Sequence, residues 1–498
     1  MNHYDVAIYG LWYGHNYGSI ITYYALSKIM EIMNLSYAMI RNPLETETNI
    51  EELHRSHPLL FAKDRYAITP LLSIDEMHKL NHIFDSFIIG SDQMWNYYLS
   101  RPYRQSYFLD FVSDEKLKLA YATSFGLNEY VGPQEEKEVT RTNLHRFNRI
   151  SVRDDFSQRI CREDFDINAD LLLDPVFLCP VEKYEDLIIE TDFSVDGEYI
   201  FAYILNPDEE IGANLKKIAE NFNRRIIIVF DQSGDKEQQK NSLNIDSDLI
   251  EYIISPDVRE WLCLFKNASF VLTDSFHGTC FSVIFRKNFI ALKNNARGGA
   301  RFPFLLNEFG LMDHMIENQE EFLGKFEITV NHDINYRVVY EKVELLKNTA
   351  FGWLEDAFKN LKDKKTENLK LPFVYSPDIW EEHYILGKSV LIPKNDRTAG
   401  GNYAVLKLNK ELEERKQYAC SIRFKLQTDS PALNFHIMKE NTKLIQIIHS
   451  YRVNLNREWT ELNFEFTPEI SGMDSFMVGA MQICGEERYL AIDYINIE

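Results

Sequence analysis

The sequence predicts two α/β units in series followed by an all-β domain. Three features carry that expectation: strand-sized apolar runs alternating with helically spaced segments up to about residue 345, glycine or polar tips after most of those runs, and a switch to short strand-like segments beyond residue 370. A chain of 498 residues is also too long for one hydrophobic core. The expected boundaries are 1–190 for the first unit, 191–361 for the second with a return helix, 362–371 for a linker and 372–498 for a β-sandwich or jelly-roll accessory domain.

Residues 6–9 read as the first buried strand, and the glycine-containing loop 10–18 leads into a helix whose apolar positions, among them Ile21, Ala25, Ile29 and Met33, recur at spacings of three and four. Strand, loop and helix in that order put the loop at the C-terminal edge of a parallel sheet, where open α/β folds bind ligands. The stretch 45–78 fits an insertion or lid. Strands follow at 84–89, 117–122 and 150–154, and Leu171-Leu172-Leu173-Asp174-Pro175 closes the first unit, because proline disfavours continuing the same element. The second unit has strands at 199–205 and 225–230 around a helix at 211–221. Ser255-Pro256 then reads as an N-cap and first helical residue, with Val258, Trp261, Leu262 and Phe265 forming the apolar face of that helix. Strands at 270–273 and 289–292 flank a helix from about 280, and a further helix runs from Tyr340 to about Leu361. In the last domain the aromatic residues Tyr403, Tyr418, Phe435, Tyr451, Trp459, Phe464 and Phe466 fit either a sandwich core or a sugar-binding face, core being the default for alternating positions.

The formal net charge of −22 argues against tight contact with nucleic acid or an anionic membrane, while leaving room for a small anionic substrate held by a few convergent arginines. Six widely spaced cysteines form no CxxC pair, so reduced thiols in a cytoplasmic protein are expected rather than a disulfide scaffold or zinc site. The N-terminus opens as a strand, and the apolar runs are too short to span a bilayer. A cytoplasmic location follows, with contact at the inner face of the membrane left open.

Asp274-Ser275-Phe276-His277-Gly278-Thr279 falls between a strand and a helix, where backbone N–H groups lack intrahelical partners and can receive a phosphate or carboxylate. Ser275 lies in no G-x-S-x-G elbow, which argues against a hydrolase nucleophile. Gly10 and Gly14 do not complete a G-x-G-x-x-G, and no close His, Cys and carboxylate set has metal-ligand spacing, so no cofactor and no metal are expected. A histidine opening an apolar helix is often a cap or a hydrogen-bonded core residue, an arginine often an ion-pair partner, and a tryptophan beside a strand often core. Those readings stand beside the functional ones for His277, Arg153 and Trp95.

Gly14-His15-Asn16-Tyr17-Gly18, Phe87-Ile88-Ile89-Gly90-Ser91-Asp92-Gln93-Met94-Trp95-Asn96, Ser151-Val152-Arg153-Asp154 and Thr273-Asp274-Ser275-Phe276-His277-Gly278, taken as an ordered set, resemble the polysaccharide pyruvyl transferases. The resemblance covers roughly residues 3–345. It implies a GT-B-like pair of Rossmann-like domains facing across a cleft, with the helix after Tyr340 crossing back between them. It also implies transfer of pyruvate from phosphoenolpyruvate to two hydroxyls of a polysaccharide repeat unit or lipid-linked glycan, as a cyclic ketal. The last domain is similar to a carbohydrate-binding jelly roll, fitted either for acceptor capture or for dimerisation in a homo-oligomer.

On this resemblance His277 matches the family's characteristic histidine and Arg153 its Ser-Val-Arg arginine. Where relatives carry a lysine in Asp-Pro-Lys, this chain has Asn294-Asn295-Ala296-Arg297-Gly298-Gly299-Ala300-Arg301, which makes Arg297 the cationic counterpart and Arg301 a second candidate. Guanidinium groups grip carboxylate and phosphate oxygens bidentately, so Arg153, Arg297 and Arg301, with Ser275 and Gly278 at the helix start, form the expected donor site. His277 is the expected general acid, or a hydrogen-bond donor to phosphate without proton transfer. Asp92, with Asp154 as the other option, would take the acceptor proton, and His15, Asn16, Tyr17, Gln93 and Trp95 would contact the acceptor. Glycosyl transfer from a nucleotide sugar and carbohydrate binding without catalysis remain the alternatives.

Overall fold

The computed structural model describes residues 3–12, 16–44, 60–62, 65–232, 234–294 and 301–369, and in the C-terminal part 380–385, 388–393, 402–412, 414–427, 432–438, 445–452, 460–469, 473–480 and 489–497. They belong to two compact units, Met1–Ala357 and Phe358–Glu498.

The first unit holds two six-stranded parallel sheets. One consists of β1 (Tyr4–Tyr9), β2 (Tyr37–Met39), β3 (Phe84–Ile89), β4 (Leu117–Thr123), β5 (Arg149–Val152) and β6 (Asp170–Leu171), in the order β2-β1-β3-β4-β5-β6. Its helices include α1 (Tyr17–Ile32), α2 (Gln134–Leu144), α3 (Asp155–Phe165), α4 (Pro175–Leu178) and α5 (Val181–Ile189). The other consists of β7 (Ile200–Ile204), β8 (Ile226–Phe230), β9 (Ile250–Tyr252), β10 (Phe270–Thr273), β11 (Phe289–Leu292) and β12 (Met315–Ile316), in the order β12-β11-β10-β7-β8-β9. Helices α6 (Glu209–Phe222), α7 (Lys236–Leu243), α8 (Val258–Asn267), α9 (Phe276–Ile284), α10 (Arg301–Phe309), α11 (Phe322–Thr329) and α12 (Tyr336–Leu369, of which residues from Phe358 fall in the second unit) accompany it.

Every residue of β7, β8, β10 and β11 is buried, as the unbroken apolar runs require of strands covered on both faces. Each sheet reverses its winding once, between β1 and β3 in the first and between β7 and β10 in the second. The second has the Rossmann strand order. Loops leaving the C-terminal ends of strands at such a reversal diverge to opposite faces and open a crevice there.

Three details differ from expectation. Asp257, not Ser255, caps α8: its carboxylate accepts the Arg259 and Glu260 N–H groups at 2.8 and 3.1 Å, and the Glu260 carboxylate accepts the Asp257 N–H at 2.7 Å. This reciprocal box overrides the Ser-Pro signature, and Ser255 lies outside the helix at φ 51°. Helix α9 begins at Phe276, a turn earlier than its apolar spacing suggests, because Ser275 caps it. Helix α12 continues through 362–369, where a linker was expected: Lys, Glu and Leu favour a helix, and no Gly or Pro intervenes before Pro372.

The start of α12 lies on the second sheet's side, with the Tyr340 hydroxyl donating to the Ile284 carbonyl at 2.9 Å. By Trp353 it has returned to the first, where the indole N–H donates to Asp170 Oδ2 at 2.6 Å and Arg149 Nη1 to the Trp353 carbonyl at 3.2 Å. Of the expected insertion over 45–78, residues 45–59, 63 and 64 lie outside the described residues; its end forms a 3-10 helix, Ile74–His82.

The second unit is antiparallel throughout its described pairings. A four-stranded sheet combines Asn402–Leu412, Met473–Ala480, Ala432–Met438 and Ile445–Arg452, and a three-stranded sheet combines Thr460–Phe466, Tyr418–Gln427 and Tyr489–Ile497. Phe435 of one sheet meets Phe464 of the other with ring centroids 5.4 Å apart, and Tyr418, Phe435 and Phe466 are buried, which makes these aromatics core. The side chains of Tyr403 and Tyr451, and Trp459 as a whole, lie outside the described residues. No described helix is long and apolar enough to cross a membrane.

Loss of the α8 cap has a measurable consequence. Asp257→Ala is expected to lower the stability of the first unit by about 1 kcal/mol, read as a fall in the urea midpoint, with Ser255→Ala nearly silent. Equal effects from both variants would reinstate Ser255 as the cap.

Candidate functional site

Helix α1 reaches the reversal of the first sheet because two glycines admit it. Tyr23 places its ring where a Cβ on either Gly10, after β1, or Gly90, after β3, would overlap it, and its hydroxyl donates to the Ser91 carbonyl at 3.2 Å. The same seating brings Ser19 and Thr22, both buried, to the ends of the strands. Asn16 caps the helix by accepting the Gly18 N–H at 2.8 Å.

Arg153, at the end of β5, is only 3% exposed. Its Nη2 donates to Asp92 Oδ1 at 2.8 Å, and its Nη1 to Asp174 Oδ2 at 2.6 Å and Ser91 Oγ at 3.2 Å. The guanidinium carbon lies 4.8 Å from the centre of the Phe276 ring. Asp92 Oδ2 accepts from Ser19 Oγ at 2.6 Å, and Asp92 itself has φ 92°, a conformation that a non-glycine residue holds only when its surroundings impose it. Asp174, at the N-cap of α4, also accepts from Ser91 Oγ at 2.9 Å and from the Val176 N–H at 3.2 Å.

His277, in the first turn of α9, completes the group from the second sheet's side. It is 5% exposed, with Nε2 2.9 Å from Thr22 Oγ1 and 3.7 Å from Asp174 Oδ2. The ring lies against Gly18, where a Cβ would overlap Nδ1, so the glycine of the Asn-Tyr-Gly stretch is needed for close approach.

Burial raises the proton affinity of the Asp174 carboxyl, but His277 and the Arg153 guanidinium outweigh it and hold the group below the ordinary carboxylate range. For Arg153 the balance is similar: burial disfavours the charge, and Asp92 and Asp174 more than restore it. Asp154 behaves oppositely. It caps α3 by accepting the Ser157 N–H at 3.0 Å, and burial pushes its carboxyl above the usual range.

At the second reversal the Asp274 carboxylate ties three loops together. It accepts the N–H groups of Leu205 and Asn206, after β7, at 2.6 and 2.9 Å, and the Asn294 side-chain amide, after β11, at 2.9 Å. Ser275 Oγ accepts the Gly278 N–H at 3.2 Å, and a Cβ on Gly278 would overlap Thr273, so α9 sits directly on β10. Beside it is a cavity of about 230 Å³ lined by Asn206, Asp208, Asp274, Lys293, Asn294 and Gln319, among others.

Of the residues singled out in the sequence, Asp92, Arg153 and His277 come together, and Ser275 and Gly278 shape the helix start beside them. Asp174, Ser19 and Thr22 join the same group without having been singled out. Asp174 did carry a signal, since Asp followed by Pro marks an N-cap and first helical residue as readily as a strand end. Both terminal nitrogens of Arg153 donate to carboxylates, while its buried Nε has no hydrogen-bond partner.

Trp95 is 1% exposed, stacked on Phe108 and bonded through its indole N–H to the Tyr107 carbonyl at 3.0 Å, so it is core and not a sugar platform. Tyr17 is likewise buried, stacked on Trp261 at 5.4 Å with its hydroxyl donating to the Pro256 carbonyl. Gln93 Oε1 accepts from the Asn96 amide at 2.9 Å. His15 and Arg297 lie outside the described residues, as does the side chain of Arg301. No group of three or more His, Cys, Asp or Glu among the described residues is arranged to hold a metal ion.

The family model described as polysaccharide pyruvyl transferase matches residues 16–295, more than half of the 498 residues and the whole span from the cap of α1 to the loop after β11. The chain belongs to the polysaccharide pyruvyl transferase family. The matched span contains every residue of the Asp92–Arg153–Asp174–His277 group, so the cluster lies within the part that defines this pyruvyl transferase family member.

Among solved structures, UDP-GlcNAc 2-epimerase from Methanocaldococcus jannaschii is 16% identical at a TM-score of 0.43, covering 69% of this chain and 99% of that one. The enzyme of the same description from Neisseria meningitidis is 10% identical at 0.45, covering 71% and 99%. The CBM1 of BiXyn10A is 17% identical at 0.21, covering 26% and 92%. None of the curated proteins compared matches this pyruvyl transferase family member in sequence.

Arg153→Met would leave Asp174 buried, and Asp92 partly buried, without their cation, and is expected to cost about 3–5 kcal/mol at neutral pH. The folded Asp174 carboxyl titrates below its unfolded value, so its stabilisation is full above about pH 4 and is lost as the pH falls through the depressed folded value. The difference in melting temperature between wild type and Arg153→Met should therefore narrow below about pH 4. A difference independent of pH would mean that pairing to Asp174 is not its source.

Proposed function

We propose that this chain transfers pyruvate from phosphoenolpyruvate to two hydroxyls of a sugar, forming a cyclic ketal and releasing phosphate. Membership of the pyruvyl transferase family supports the reaction type. The observation that carries the assignment of chemistry to this site is the position of His277: at the start of α9, within 4 Å of a carboxylate, and between the reversal points of both sheets.

In this reading carbon 3 of the donor takes up a proton and a sugar hydroxyl adds at carbon 2. The bond from carbon 2 to the phosphate oxygen then breaks, and the second hydroxyl closes the ketal. Of the two hydroxyl protons released, one balances the proton gained at carbon 3 and the other leaves on phosphate. His277 supplies the proton to the departing phosphate, a role worth about 10²–10⁴-fold for a positioned acid. Arg297 and Arg301 grip the donor, while Asp92, with Arg153 and Ser19 on its oxygens, holds the guanidinium in place. The acceptor is a polysaccharide repeat unit or lipid-linked glycan.

A second reading, glycosyl transfer from a nucleotide sugar, is favoured by one observation. The polar cavity of about 230 Å³ sits at the reversal of a sheet with the Rossmann strand order, the place where such sheets take nucleotides.

Incubation with phosphoenolpyruvate and a panel of glycans, read by mass spectrometry and phosphate release, separates the two. The mass of a pyruvate ketal on the glycan, with turnover falling about 10²–10⁴-fold in His277→Gln, is the expected result. Sugar mass transferred from a nucleotide sugar would establish the second reading, and full turnover in His277→Gln would remove that residue from the chemical step.

A further inference from the structure

A neutral imidazole carries one proton on one of two nitrogens, and its neighbours decide which. His277 has asymmetric neighbours. Its Nε2 is 2.9 Å from Thr22 Oγ1 and 3.7 Å from Asp174 Oδ2. Its Nδ1 edge packs against the backbone of Gly18, and among the described residues no hydrogen bond reaches Nδ1.

An ionised carboxylate accepts hydrogen bonds and cannot donate one. Asp174 is held in that form by Arg153, which donates to the same oxygen that faces His277. A buried negative charge beside Nε2 favours the proton there, and the Thr22 hydroxyl, which can accept or donate, adapts to it. The other charged groups near the ring do not compete: Asp92 is engaged by Arg153 and Ser19, and Asp274 by the loop after β7.

We infer that Asp174 is a positioning residue that keeps the His277 proton on Nε2, with Thr22 as its neighbour in that contact, and so presents Nδ1, beside Gly18, as the nitrogen that exchanges a proton with the substrate. The last clause rests on the proposed role of His277. When Nδ1 is also protonated, the Asp174 carboxylate faces the imidazolium through Nε2–H. Donation then breaks the Nδ1–H bond and forms an O–H bond on the departing phosphate, and the ring returns to its Nε2–H form.

The full chain, labelled with ¹⁵N in histidine, tests this by long-range ¹H–¹⁵N correlation without any substrate. The His277 resonances are assigned by their absence in His277→Gln. A single Nε2–H tautomer is expected at a pH where the ring is neutral. Asp174→Asn should abolish that preference, giving a mixed or inverted pattern, and should lower kcat about a hundredfold or more with little change in KM for phosphoenolpyruvate.

A proton on Nδ1 in the wild type overturns the inference, as does an unchanged tautomer in a folded Asp174→Asn. Should Asp174→Asn not fold, Thr22→Val decides: the Nε2–H tautomer persists if Asp174 sets it, and its loss overturns the role given to Asp174. The spectrum reports on positioning whether or not phosphoenolpyruvate is turned over, so failure of the proposed reaction remains distinguishable from failure of this inference.

Discussion

The site depends on one ion triad, in which Arg153 and Asp174 are buried and Asp92 is partly buried. Arg153 comes from the end of β5, Asp92 from the turn after β3 and Asp174 from the start of α4, and the cost of drawing them from water is offset by their pairing together with hydrogen bonds from Ser19, Ser91 and the Val176 N–H. Because all three lie at C-terminal strand ends or helix starts, their pairing fixes the spacing of three loops at once. Asp92 shows the consequence in its backbone, held at φ 92° with one carboxylate oxygen on Arg153 and the other on Ser19 of α1. The triad thus positions α1, and through Asp174 and Thr22 it sets the environment of His277 on the other sheet's side.

Close approach does the rest. Gly10 and Gly90 admit Tyr23, Gly18 admits the His277 ring, and Gly278 lets α9 rest on Thr273. A methyl group at any of these positions would meet a side chain already in place. The Asn16-Tyr17-Gly18 stretch accordingly belongs to the contact between the two sheets. Asn16 starts α1, Tyr17 packs on Trp261 and bonds Pro256, and Gly18 accepts the imidazole. Its polar and aromatic residues resemble a ligand-binding loop in sequence because capping and inter-sheet packing call for the same residue types.

The paired α/β architecture was legible because buried parallel strands leave unbroken apolar runs, and 200–204 or 226–230 can be little else. Single contacts were less legible. Trp95 and Arg153 each had a core or ion-pair reading and a ligand reading, and only the third dimension shows that Phe108 stacks on one and that two carboxylates engage the other. Asp174 was passed over because Asp-Pro after Leu171-Leu172-Leu173 reads as the end of a strand. Its partners Arg153 and His277 are 21 and 103 residues away, a separation no local pattern encodes. The cap of α8 failed for a related reason: Ser255-Pro256 and Asp257 with Glu260 are both valid starts two residues apart, and the reciprocal box has the additional hydrogen bond.

Charge balance in the triad bears on where an anionic donor is held. Two carboxylates against one guanidinium leave a net negative charge that a protonated His277 would cancel, so the group as a whole offers no surplus positive charge. For the proposed donor, which carries both phosphate and carboxylate, the terminal nitrogens of Arg153 are already engaged and further cations are called for. That moves the proposed grip to the arginines after β11, Arg297 and Arg301. The triad is left to hold one imidazole, in one orientation, where the reversal points of two sheets meet.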